Sequence, residues 1–133
     1  MRTLEDWQIK IAVLWIFNAV SMSAYFIVGF MLPGVIEGVI AGELSGMLID
    51  EASLLMIALL MIIPLIMAFL SLILKNSINC WANIILAIVW IIIGIMHNLS
   101  EGYTAIAHVL IDACMYIVSA LIIWYAWKSK QKT

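Results

Sequence analysis

Four runs of apolar residues, each long enough to cross a bilayer, occupy most of this 133-residue chain. They cover about residues 9–32, 52–74, 78–96 and 103–127, and a helix needs only about 20 residues to span the hydrocarbon core. Hydrophobic residues make up 67% of the chain and charged residues 11%, against roughly 25% charged in soluble domains. A soluble fold of this size has too little interior to hide so much apolar surface, so lipid must serve as the solvent. The expectation is a single domain: an all-α membrane protein built as a left-handed bundle of four transmembrane helices. Its main partner is the lipid bilayer. The net charge of −2, with no basic patch, excludes nucleic acid.

Orientation follows from the charges. Arg2, Lys10, Lys75, Lys128, Lys130 and Lys132 all fall on the side that holds both termini, the last three in a basic tail over residues 128–133. The opposite side has Glu37, Glu43, Asp50, Glu51 and Glu101 and no basic residue. The positive-inside rule then places both termini in the cytoplasm of a multi-pass protein of the cell membrane. Such a bias argues against dual insertion, so a homo-oligomer should be parallel. No cleavable signal is expected, because the polar start at residues 1–10 leads into an apolar run too long for a signal core. Cys80 and Cys114 should differ in height by roughly 15–20 Å, too far for a disulfide.

The last span holds the least expected residues, His108 and Asp112, one helical turn apart. Helical spacing puts Glu101, Thr104, His108, Asp112 and Ser119 along one stripe. A carboxyl group near the bilayer centre costs roughly 2.5–3.5 kcal/mol on insertion scales, so it needs a compensating partner. In the first span Asn18, Ser21 and Tyr25 fall on one face, at depths similar to those of His108 and Asp112. The expected cluster is Ser21, Tyr25, His108 and Asp112, with Asn18 and Thr104 beside it and Glu51, His97 and Glu101 at the outer rim.

Between the first two spans lies residues 33–50, with Gly34, Gly38, Gly42 and Gly46 four apart. Read as a helix, these glycines form a small-residue ridge that lets another backbone approach. The stretch is too short and too acidic to span, which fits an interfacial or re-entrant segment; a glycine-loosened loop is the alternative. In the second span Pro64 should kink the helix, while Met56, Met61 and Met67 give it an adaptable surface. The short turn at residues 75–79 makes spans two and three antiparallel neighbours. Asn83 should bond across to that turn. Residues 97–102 read as a solvated turn, and Trp124, Tyr125 and Trp127 as an interfacial belt.

Several short blocks also resemble a family of small prokaryotic four-helix membrane proteins known only as a domain of unknown function. They are residues 14–17 (Leu-Trp-Ile-Phe), Pro33-Gly34 with Gly42 and Gly46, and Ile63-Pro64. Leu74-Lys75, Asn79, residues 81–85 (Trp-Ala-Asn-Ile-Ile) and residues 124–128 (Trp-Tyr-Ala-Trp-Lys) complete the set. The resemblance implies the four-helix architecture and an acidic residue in the last helix, for which Asp112 is the counterpart. It also implies an acidic residue before the Ile-Pro pair, where this chain has Ile62, and it implies no function.

Catalysis finds little support, which leaves a membrane enzyme as a distant third reading: there is no nucleophile elbow, phosphate loop or His-Glu-x-x-His pair. Two histidines without a repeated spacing make a poor metal or haem signature, so no metal and no cofactor are expected. The first reading is a binding or transport module for a small lipophilic or cationic ligand, with protonation of His108 coupled to binding. The alternative is a non-catalytic scaffold or accessory subunit, assembled with a membrane partner or a second copy through small-residue contacts. In that case Asp112 is neutral or hydrogen-bonded to Asn18 or Ser21 and merely fixes the register.

Overall fold

The computed structural model describes residues 4–44, 46–102 and 105–131. The elements run α1 (Asp6–Phe30), α2 (Val35–Ile40), β1 (Glu43–Leu44), β2 (Met47–Leu48), α3 (Glu51–Ile73), α4 (Asn76–Glu101) and α5 (Ile106–Gln131). Of these, α1, α3, α4 and α5 are long and apolar enough to cross a membrane.

Side chains fix the helix starts. The Glu5 amide donates to Gln8 Oε1 at 3.1 Å, one half of a capping box that opens α1. Asp50 and Ser53 form the same reciprocal arrangement at the start of α3: Ser53 N–H donates to Asp50 Oδ1 at 2.8 Å, and Asp50 N–H to Ser53 Oγ at 3.0 Å. Each box satisfies amides that a helix start otherwise leaves unpaired. α3 runs unbroken through the buried Pro64.

Three stretches differ from the sequence expectation. Residues 97–101 are the last turn of α4 rather than a solvated turn, because no breaker intervenes before Gly102, whose φ of 71° ends the helix. Glu101 therefore sits on α4 and cannot share a helical stripe with His108. Lys128 and Lys130 belong to α5 rather than to a tail, where cations suit the negative end of the helix dipole; Lys130 Nζ also lies 3.9 Å from the Trp81 ring centre. Residues 33–50 form neither one helix nor a glycine ridge. They make the single-turn-and-a-half α2 and an antiparallel hairpin pairing Glu43 with Leu48 and Leu44 with Met47. Gly34, Gly42 and Gly46 have φ of 82°, 89° and 77°. These left-handed values serve turns.

The packing order around the bundle is α3, α1, α5, α4. α1 packs on both α3 and α5, α4 packs on α5, and α3 and α4 meet little despite their short connection. The core is gathered in the half of the bundle that holds the termini: Ile11, Ala12 and Trp15 from α1, Met67 and Ala68 from α3, Ile84, Ala87 and Trp90 from α4, and Val118, Ile122 and Ala126 from α5. Alanines at these contacts let helices approach closely, and Trp15 meets Trp90 edge to face at 6.4 Å.

A buried polar network locks the same half. Asn83 Oδ1 accepts from Trp15 Nε1 at 2.6 Å and from Ser71 Oγ at 3.1 Å, while its amide donates to Asn79 Oδ1 at 2.6 Å. Asn79 Nδ2 and Gln8 Nε2 both donate to the Ser71 carbonyl, at 2.7 and 3.3 Å. All five side chains are inaccessible to solvent. The bond from Asn83 back to Asn79 agrees with its expected reach toward the turn; the roles of Gln8, Ser71 and Trp15 were not legible. With this end tied, the other end is free to be looser.

Candidate functional site

That looser end, the one carrying the acidic residues, holds a cavity of about 250 Å3. α1 contributes Tyr25, Phe26, Gly29 and Phe30; α3 contributes Met56, Ile57 and Leu60; α4 contributes His97 and Glu101; α5 contributes His108. Val35 of α2 and Leu44 and Met47 of the hairpin cover it. The hairpin therefore acts as a roof over the cavity. A second, apolar cavity of about 160 Å3 lies under the same hairpin and shares Phe30, Leu44, Met47 and Ile57 with the first.

The polar part of the wall is organised around Tyr25. Its ring stacks on the His108 imidazole, with 4.2 Å between centroids and 22° between planes. Its hydroxyl is 3.3 Å from His97 Nε2. Its backbone carbonyl lies 3.2 Å from His108 Nε2, and because a carbonyl only accepts, His108 must carry its proton on that nitrogen. His97 Nε2 is also 3.9 Å from Glu101 Oε2, one turn further along α4, with both side chains nearly half exposed. The chain has two histidines, and both line this cavity. Tyr25, His97, His108 and Glu101 are thus brought together, whereas the sequence reading centred on Ser21, Tyr25, His108 and Asp112 and left His97 and Glu101 at the rim.

Asp112 is placed otherwise. It is 6% exposed but does not line the cavity; it lies one turn deeper than His108 on α5. Asn98 of α4 hydrogen-bonds to it, and Asn98 Nδ2 also donates to the Tyr116 hydroxyl at 2.8 Å. The other carboxyl oxygen, Oδ2, is buried without a hydrogen-bond partner among the described residues. The expected partners from α1 are not there. Asn18 donates instead to Ser119 Oγ at 3.2 Å, two turns beyond Asp112 and so about 10 Å deeper. Ser21 is half-buried and has no side-chain hydrogen bond among the described residues. Glu51 stays exposed in the first turn of α3, away from the cavity wall. Thr104 lies outside the described residues.

Asn98 and Tyr116 are the partners that sequence reasoning missed. A signal existed in the spacing: Gly94 and Asn98 are four apart on α4, as are Asp112 and Tyr116 on α5. A Cβ on Gly94 would lie 3.0 Å from the Tyr116 ring and hydroxyl, so the absence of a side chain there makes room for the tyrosine that reaches Asn98.

No curated protein and no solved structure matches the chain. A family model does match, over residues 3–133, nearly its whole length. By that match the chain, with its four long apolar helices, belongs to DUF6326, a family of unknown function.

Proposed function

We propose that the protein is a small membrane-embedded binding module that takes an amphiphilic molecule into the cavity at the acidic end of the bundle. The observation that supports this is the division of the cavity wall. Phe26, Phe30, Ile57 and Leu60 line it with apolar surface, while Tyr25, His97, Glu101 and His108 give it one polar end. Convergent polar groups in an apolar recess are the usual composition of a ligand site, and about 250 Å3 sits just under the roughly 300–1,000 Å3 of drug-sized pockets. A compact ligand fits that volume. Imidazole is the side chain that ordinarily changes charge near neutral pH, so proton binding at this end would alter the charge a ligand meets. We also infer, from the basic residues gathered beside the termini, that both termini face the cytoplasm and the cavity opens away from it. Of the four glycines on which the scaffold reading drew, Gly34, Gly42 and Gly46 have positive φ and Gly38 lies in α2.

The two histidine side chains provide a built-in reporter. Benzyl alcohol titrated into the full-length protein in maltoside micelles should shift both imidazole NMR signals in a saturable way. Gly29→Leu should abolish the response. A Cβ at position 29 meets the His108 ring at an ordinary 3.8 Å, and the rest of a leucine would enter the cavity. Met56→Phe, from the opposite wall, serves as a second filling variant. An unsaturable drift, equal in wild type and both variants, would mean that benzyl alcohol dissolves in the micelle and does not occupy the cavity.

A further inference from the structure

The charge around the cavity has one sign. Among its lining residues Glu101 is the one carboxylate, and none is lysine or arginine. The surrounding end of the bundle adds Glu37, Glu43, Asp50 and Glu51, and the sequence has no lysine or arginine between positions 11 and 74 or between 76 and 127. A recess framed by one sign of charge concentrates ions of the opposite sign. The wall chemistry agrees. Tyr25, Phe26 and Phe30 present three aromatic side chains from α1, and aromatic faces attract cations, quaternary ammonium groups above all. Met47 and Met56 add soft, polarizable surface. The second cavity, lined by Phe30, Leu48, Ile49 and Leu54 among others, extends the apolar side under the hairpin. An anion would face Glu101 with no lysine or arginine in the wall to balance it.

We propose, on the footing of the binding-module reading above, that the cavity's ligand is a lipophilic monocation, an amine or quaternary ammonium bearing an apolar body. The charge lies at the Glu101 end beside the Tyr25 ring; the body lies against Phe30, Ile57 and Leu60. The titratable groups facing that charge are Tyr25 from α1, His97 and Glu101 from α4 and His108 from α5, whereas α3, α2 and the hairpin contribute apolar side chains to the wall. A protonated imidazole would oppose the cation, so the affinity is measured at pH 8.

The test compares three probes of similar shape on the full-length protein in maltoside micelles, read by the two imidazole signals. They are benzyltrimethylammonium, its uncharged carbon isostere neopentylbenzene, and anionic benzenesulfonate. The cation should bind about tenfold more tightly than its neutral isostere, with the sulfonate weakest. Glu101→Gln, at an exposed position, should lower the preference for cation over isostere by about threefold; Phe30→Leu should lower it as well. Equal binding of cation and isostere, or a preference unchanged in both variants, overturns the cation proposal and leaves the binding module standing. Saturable binding of the sulfonate alone overturns it in favour of an anion. Absence of a saturable response to all three probes removes the binding module too.

Discussion

The ring of Tyr25 lies face to face with the imidazole of His108, 4.2 Å between centroids, and this stack joins α1 to α5 at the wall of the cavity. Stacked ring pairs contribute about 0.5–1.5 kcal/mol beyond the area they bury. The same tyrosine turns its hydroxyl to His97 on α4, so one side chain from α1 meets the polar groups of two other helices.

Tyr25→Phe keeps the stack and deletes the hydroxyl, and should cost no more than about 1 kcal/mol in thermal unfolding. Tyr25→Leu also deletes the ring and should cost about 0.5–1.5 kcal/mol more. The His108 imidazole signal should lose its ring-current shift in the leucine variant and keep it in the phenylalanine variant. Identical signals in the two variants would show that the rings are not stacked in solution.

At the opposite end, Asn83→Ala removes the acceptor for the Trp15 indole and one partner of the Ser71 hydroxyl. Leaving buried donors unpaired costs about 1–3 kcal/mol. Combined with Trp15→Phe, which deletes the indole donor, the loss should be smaller than the sum of the single losses, because both changes break one bond. Strictly additive losses would mean that the indole and the amide do not interact.

The start of α3 should depend on pH. The Ser53 amide and hydroxyl hold the Asp50 carboxyl below the usual carboxylate range, so the charged form is the one folding favours. Its contribution is complete above the ordinary carboxylate range near pH 4 and fades as pH falls through the lowered value. Asp50→Ala should therefore speed hydrogen exchange at the Ser53 amide relative to wild type at pH 7, with the gap closing in acid. A gap that stays unchanged however far the pH is lowered would rule out the carboxylate as the cap.

Much of the helix content could be read from local pattern. The α4–α5 boundary was misread because a loop signal, the polar run from His97 to Glu101, is also compatible with a helix end that Gly102 terminates. The four glycines from Gly34 to Gly46 have a spacing that fits a helical ridge as well as it fits turns. Periodicity carries no information on φ, and three of the four prove to be left-handed. Tyr25 and His108, which residue count along the helices put at one level, do stack, while His97 and Glu101 were read only as a rim. Asp112 was given the wrong partners. Depth does not say which side of a helix faces which neighbour, and Asn98 of α4 took the role expected of α1.

The sequence by itself determined that four helices are long and apolar enough to cross a membrane, and that the two ends of the bundle differ in charge. Both follow from hydropathy and charge counts along a one-dimensional chain. The tertiary structure decided what those helices enclose. Gln8, Trp15, Ser71, Asn79 and Asn83 come from three helices and are up to 75 positions apart; only packing brings them into one network at the end that holds the termini. Tying that end leaves the acidic end loosely filled, and there the hairpin covers a cavity with Tyr25, His97, Glu101 and His108 in its wall. A cavity is a property of which side chains fail to meet, and no local pattern in a sequence records that.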